Sequence, residues 1–269
     1  MSCAALIARI RQIGAPFGQE LSIKLEASLL LHQRILLSLH RSAFGTPPLE
    51  RIQAIAQELG APETLLAQFP AALVGADIMH FGFEGGRQNE IYKVYFEYSK
   101  AARMALQAGK SGRVLVHRAF KWDRTEPSRQ AVTLYSCEPG LTGHDLSLAI
   151  GRIASAPVAR QLLQTAIDRA RFQKPEFRPM ALVVEEVGNP RYSLDINLYA
   201  ANLCLHDVGD LMANAVHALA APADRWEEAL RLHGRKKLGH VAAGQGREGQ
   251  PFVTVYFGVT PGDGAEHGT

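Results

Sequence analysis

From Ala71 onward the chain repeats one unit: two runs rich in Val, Ile, Tyr and Phe joined by a short turn, followed by a helical run. The first pair is ALVGADIMHFGFE and IYKVYFEY around the turn Gly85 to Asn89, with a helix over Ser99 to Gln107 closed by Gly109. The second is RVLVHRAFKWD and QAVTLYSCE around Thr125, Glu126 and Pro127, with helical sequence from Asp145 to Ala170 that Pro157 can break. The third is MALVVEEV and YSLDINLY around Gly188, Asn189 and Pro190, with helices over Val208 to Leu219 and Ala223 to Leu232. The fourth is KKLGHVAAG and PFVTVYFGV around Gln245 to Gln250. A hairpin makes its two strands antiparallel neighbours, so the chain reads as α+β, built of repeated ββα units.

The N-terminal third reads differently. Leu21, Leu25, Leu29, Leu30, Leu36, Leu37 and Leu39 stand at helical spacings and predict a helix from Glu20 to about Ser42. Pro47 and Pro48 end it and open a second helix over about Leu49 to Leu59. No Pro/Gly/Ser-rich linker divides the chain, which predicts a single domain over residues 1–269: a helical N-terminal segment at residues 1–70, the repeats at 71–259 and a flexible tail at 260–269.

The second strand of each hairpin alternates. Its polar parity carries Lys93, Tyr95 and Glu97 in the first pair and Thr133, Tyr135 and Cys137 in the second. In the third it carries Ser193, Asp195, Asn197 and Tyr199, and in the fourth Thr254 and Tyr256. The helices between hairpins suffice to cover the apolar parity, so the polar one faces either water, in an open sheet, or a lumen, if the repeats close. Closure removes the exposed edges of a long antiparallel sheet. The fold expected is therefore an antiparallel β-barrel with a polar lumen surrounded by helices.

Helix-flanked hairpins with K-x-Y-like patterns on the inward parity resemble the aromatic prenyltransferases of the αββα barrel type, which include indole and cyanobactin peptide prenyltransferases. The likeness is carried by Lys93-Val94-Tyr95, by Asp195-Ile196-Asn197-Leu198-Tyr199, and by the hairpin GHVAAGQGREGQPFVTVYFGV with Tyr256, over roughly Ala71 to Val259. The family has five hairpins and only four are legible here, so a fifth is hidden in the N-terminal third or absent. The resemblance implies transfer of an isoprenyl group from an allylic diphosphate, such as dimethylallyl or geranyl diphosphate, to an aromatic, heteroaromatic or peptide side-chain acceptor. Lys93, Arg118, Lys121 and Arg247 would then hold the diphosphate, since cations stabilise a leaving pyrophosphate. Tyr95, Tyr135, Tyr199 and Tyr256 would shield the allyl cation, and Glu97, Asp195 or Glu84 would take up the proton released. No cofactor is obligatory on this reading, and Mg²⁺ stays open because there is no Asp-rich cluster.

Each of these residues also has a plainer reading. Lys93 and Glu97 can be solvated charges on one strand face, and the tyrosines can be packing. Arg118 and Lys121 stand on opposite parities, so at most one faces the lumen without a bulge. His80, His117 and His240 each occupy a first strand, but their spacing along the chain matches no metal motif. The turn GQGREG has no helix after it, so it reads as a hairpin turn and not as a phosphate loop. The alternative function is a non-catalytic ligand- or peptide-binding protein of a biosynthetic pathway. Hydrolase motifs such as Gly-x-Ser-x-Gly are missing.

Composition narrows the partners further. A net charge of +3 without clustering argues against nucleic acid, and no apolar run is long enough to predict a membrane span. Three widely spaced cysteines, Cys3, Cys137 and Cys204, suggest no disulfide framework and predict a reducing cytoplasm, with no secretory signal in the Arg-broken start.

Overall fold

The computed structural model describes residues 3–86, 89–109, 112–138, 143–153 and 157–260. Helix α1 (Cys3–Arg11) precedes strands β1 (Gly18–Glu26), β2 (Leu29–Leu31) and β3 (Arg34–His40), and helices α2 (Pro48–Glu58), α3 (Glu63–Leu66) and α4 (Phe69–Leu73) follow. Then come the hairpin β4 (Ile78–Gly85) and β5 (Glu90–Glu97), helix α5 (Ser99–Gln107), and the hairpin β6 (Val114–Asp123) and β7 (Gln130–Cys137). Helices α6 (Gly143–Gly151) and α7 (Pro157–Gln173) split the long helical run, with Pro157 opening the second. The hairpin β8 (Met180–Glu186) and β9 (Tyr192–Asn197), helices α8 (Gly209–Ala218) and α9 (Ala223–His233), and the hairpin β10 (Leu238–Gln245) and β11 (Pro251–Thr260) complete the chain.

Neighbouring strands are antiparallel throughout. The sheet runs β11 to β3 in reverse chain order, then β1, and β1 pairs back onto β11, so the sheet closes on itself, with the short β2 as an eleventh strand beside β1. The closing register sets Ser22 opposite Tyr256 and Lys24 opposite Thr254. All five hairpin turns point to one end of the barrel, the turn end, and the connections to helices leave from the other, the helix end.

The helix expected from Glu20 to Ser42 is instead the fifth hairpin, so the first 70 residues are not all helical. Leucines four residues apart, such as Leu21, Leu25 and Leu29, share a face on a helix and equally on a strand, because four is an even number. The alternation of Glu20, Ser22, Lys24 and Glu26 with Leu21, Ile23 and Leu25 is the period that prevails, because β11 and β3 supply the hydrogen-bond partners of β1. Thr260 ends β11, and the rest of the expected flexible tail lies outside the described residues.

The apolar parities build a core between barrel and helices in two main sectors. One joins Ile23, Leu25, Val253 and Val255 to α6 through α9, including Leu163 and Trp226. The other joins Phe81, Phe96, Phe120 and Trp122 to α1 through α4, including Ile52 and Phe69. Among the described residues no helix is long and apolar enough to cross a membrane.

Candidate active site

Because the outer core takes up one parity of the strands, the opposite parity has only the lumen to face, and there the polar residues are joined by a few apolar ones such as Val184 and Phe252. A cavity of about 690 Å³ opens there, lined by residues of both signs of charge together with Tyr95, Tyr135 and Tyr256. The polar groups sort along the barrel axis.

Seven cations line the cavity toward the turn end. Arg129 is paired with Asp123 and Glu126; the other six are Lys24, Arg34, Lys93, Lys121, Arg191 and Arg247. Glu84 is shared between Lys93 at 2.7 Å and Arg34 at 3.1 Å. Burial works against ionisation of Glu84, yet the Arg34 guanidinium and the Lys93 ammonium hold its carboxyl well below the usual range. Glu186 receives Arg247 and Arg191, the latter at 3.4 Å. Apart from the Arg129 cluster, these two carboxylates and Glu26 face six cations and leave them in excess. Arg34 is buried, and its Nε and Nη1 have no hydrogen-bond partner. The Lys121 ammonium has the Tyr135 hydroxyl at 3.5 Å, and burial, with Arg191 and Lys93 nearby, pushes its pKa well below the ordinary lysine value. Lys93 is pushed down to about 8, chiefly by burial. The unsatisfied Arg34 nitrogens and the buried Lys121 amine are groups that a bound anion would satisfy.

Below the cations lies an aromatic layer. The rings of Tyr95 and Tyr135 stand 5.8 Å apart, and Tyr256 stacks on His240 at 4.2 Å with an interplanar angle of 4°. Burial pushes the Tyr95 and Tyr256 hydroxyls up, so both stay neutral. Asp195 faces the cavity beside this layer. It accepts a hydrogen bond from His240 Nδ1 at 2.7 Å, and Glu20 stands 3.2 Å from the other ring nitrogen. Burial opposes the imidazolium, but Asp195 and Glu20 raise the His240 pKa well above its ordinary value.

At the helix end, Glu97 sits between two imidazoles. His80 Nε2 is 2.6 Å away and His117 Nδ1 3.8 Å. Burial pushes Glu97 up, but the His80 hydrogen bond and the charges of His117 and His80 bring it down to about 2. Burial lowers His117 to about 4.

The structure therefore brings Lys93, Lys121, Tyr95, Tyr135, Tyr256 and Asp195 into one lumen, with Arg247 at its rim. Four of the expected site residues take other places. Arg118 lies on the outer parity of β6, paired with Phe96 and Leu134, because the bulge at Leu115/His117 precedes it and does not reverse its face. Tyr199 lies beyond the end of β9 in a short 3-10 turn, is 45% exposed, and reaches the lumen only through its hydroxyl, which donates to Glu20 at 2.7 Å. Glu84 belongs to the cation end as a counter-ion, and Glu97 lies past the tyrosines among the histidines. Glu20, Lys24 and Arg34 were missed because they fall in the segment read as helix, where the alternation of charged and apolar residues in GQELSIKLE was the available signal.

No family model matches the sequence, and no curated protein matches it significantly. Solved structures do. The crystal structure of PriB in a binary complex with product diphosphate aligns over 92% of this chain and 82% of its own, with TM-score 0.61 and 17% identity. The 5-dimethylallyl tryptophan synthase from Streptomyces coelicolor, in complex with DMASPP and Trp, aligns over 89% and 78% with TM-score 0.60 and 15% identity. AnaPT from Neosartorya fischeri aligns over 94% and 80%, with TM-score 0.57 and 15% identity. The chain thus has the closed αββα-barrel fold of these aromatic prenyltransferases.

Proposed function

We propose that the protein is a prenyltransferase that moves an isoprenyl group from an allylic diphosphate to an aromatic, heteroaromatic or peptide side-chain acceptor. The observation that carries this reading is the surplus of buried cation at the turn end, above all the two unpartnered nitrogens of Arg34, beside the buried Lys121 amine, which meets the Tyr135 hydroxyl at 3.5 Å. A diphosphate supplies the anion these groups lack. Arg34, Lys93 and Lys121 hold its oxygens, while Lys24, Arg191 and Arg247 draw it to the mouth. As the allylic C–O bond breaks, negative charge grows on the pyrophosphate where these donors are already oriented. The allyl cation left behind faces Tyr95, Tyr135 and Tyr256, each ring worth about 0.5–2 kcal/mol to a cation. The acceptor attacks from the carboxylate side, and the proton it loses passes to Asp195, which His240 orients through its hydrogen bond at 2.7 Å. Neighbours of the same fold were crystallised with such donors: PriB with L-tryptophan and dimethylallyl thiolodiphosphate, for example. Mg²⁺ is dispensable on this reading, because the protein's own cations supply the charge, and added Mg²⁺ is expected to leave turnover unchanged. The cysteines are unbridged, which suits a reducing cytoplasm.

The test is incubation with dimethylallyl or geranyl diphosphate and a panel of aromatic, guanidine and imidazole acceptors, read by mass spectrometry. Lys93→Ala is expected to lower donor use by ~100-fold or more, about 3 kcal/mol of transition-state stabilisation, with an unchanged circular dichroism spectrum. Ligand binding without any product, in wild type, supports a binding protein instead.

A further inference from the structure

We propose that His80, Glu97 and His117 form a binding site for a divalent transition-metal cation of the zinc class at the helix end of the lumen. The three side chains come from adjacent strands β4, β5 and β6. Glu97 is directly opposite His117 in the β5–β6 register, and His80 is its diagonal neighbour on β4, two residues from the Ile78 that Glu97 faces. One ligand atom from each lies within 4.8 Å of the others. A cation bound at about 2.0–2.2 Å needs tetrahedral donors roughly 3.4 Å apart, so small side-chain rotations complete the set.

Three features separate this cluster from an ordinary hydrogen-bonded trio. His117 Nδ1 is buried without a hydrogen-bond partner and lies on the Glu97 side of its ring. His80 Nδ1 is bonded to Ser38 Oγ at 2.7 Å, the outer contact that fixes a ligating imidazole's tautomer and leaves Nε2 free for a metal. The carboxylate of Glu97 has, among the described residues, ion pairs only to these two imidazoles, while the lumen lysines and arginines stand toward the other end. Lys93 is four residues away along β5, about 13 Å on an extended strand. Two imidazoles and one carboxylate suit Zn²⁺, Co²⁺ or Ni²⁺ and not the all-oxygen preference of Mg²⁺. Both histidine rings contact Tyr95, at 6.0 and 6.4 Å, and His117 also contacts Tyr135 at 5.6 Å. The site therefore adjoins the tyrosine layer. The site rests on its three ligands alone and holds whatever reaction the lumen performs.

The test is titration of untagged, chelator-stripped full-length protein with Co²⁺. One equivalent is expected to give the intense visible absorption of four- or five-coordinate Co²⁺, displaced by equimolar Zn²⁺ and insensitive to excess Mg²⁺. His117→Gln and Glu97→Gln should each abolish that spectrum. Ser38→Ala should weaken binding by about 10-fold, the lower limit for loss of an outer hydrogen-bond partner. His32→Gln, at an exposed position, should change nothing. Wild-type protein without the spectrum overturns the proposal, as does a spectrum that survives both ligand substitutions, which would place the metal on surface histidines. Should Glu97→Gln fail to fold by circular dichroism, His117→Gln and the wild-type titration still decide.

Discussion

At the scale of single residues, the turn end holds a set of buried cations whose protonation is held in tension. Lys121 illustrates it: burial favours the neutral amine, and a bound anion favours the ammonium. Lys121→Met should therefore raise the melting temperature of the ligand-free protein by about 2–4 °C, about 1 kcal/mol, while cutting prenyl transfer sharply. A scanning calorimetry trace and a turnover assay on the same preparation check both halves, and a fall in melting temperature would show that Lys121 is already compensated. Lys93 carries a pH signature. Its pKa is pushed down to about 8, so it is charged below that pH and loses its proton above it. The donor KM should stay flat at lower pH and climb as pH passes about 8, because the diphosphate then meets a neutral amine. Lys93 and Tyr95 were legible from alternation alone. Arg34 was not, because reading its role requires knowing that β3 is a strand and that Glu84 lies opposite it.

At the scale of elements, β1 shows why periodicity can mislead. Its leucine spacing satisfies a helix, yet Ile23 and Leu25 are buried on the outer wall and Glu20, Ser22 and Lys24 point inward. Leu25→Ala removes a fully buried side chain from the β1–β11 seam and should destabilise the protein by about 2–5 kcal/mol, measurable by urea unfolding; a cost near zero would mean that the seam is loose. The same even-number coincidence does not affect the four later hairpins, where β-branched and aromatic residues and turn signals agree with the alternation. Within them the reading failed only at ends and irregularities. The strand holding Asp195 stops at Asn197, whose side chain accepts from the Tyr199 amide at 3.1 Å, and this turns Tyr199 out of the tyrosine layer.

At the scale of the whole molecule, closure creates the site. Pairing β1 with β11 joins residues 19–25 to residues 253–260 across nearly the full length of the chain, and without it the polar face would be one side of an open sheet. Amides of Ile23 and Val255, opposite one another in that seam, should exchange with solvent only through global unfolding, whereas edge strands of an open sheet would exchange by local fraying. Hydrogen exchange read by mass spectrometry or NMR distinguishes the two. The sequence by itself determined the repeating hairpins, the helices between them, the polar parity of the later strands and several residues of the lumen, since these follow from periods of two and 3.6 that act between near neighbours. Only the tertiary structure decided that β1 is a strand, which end of the barrel each charge occupies, and that two histidines and a glutamate from three strands converge. Those outcomes depend on register and on pairing between distant segments, and no local period encodes either.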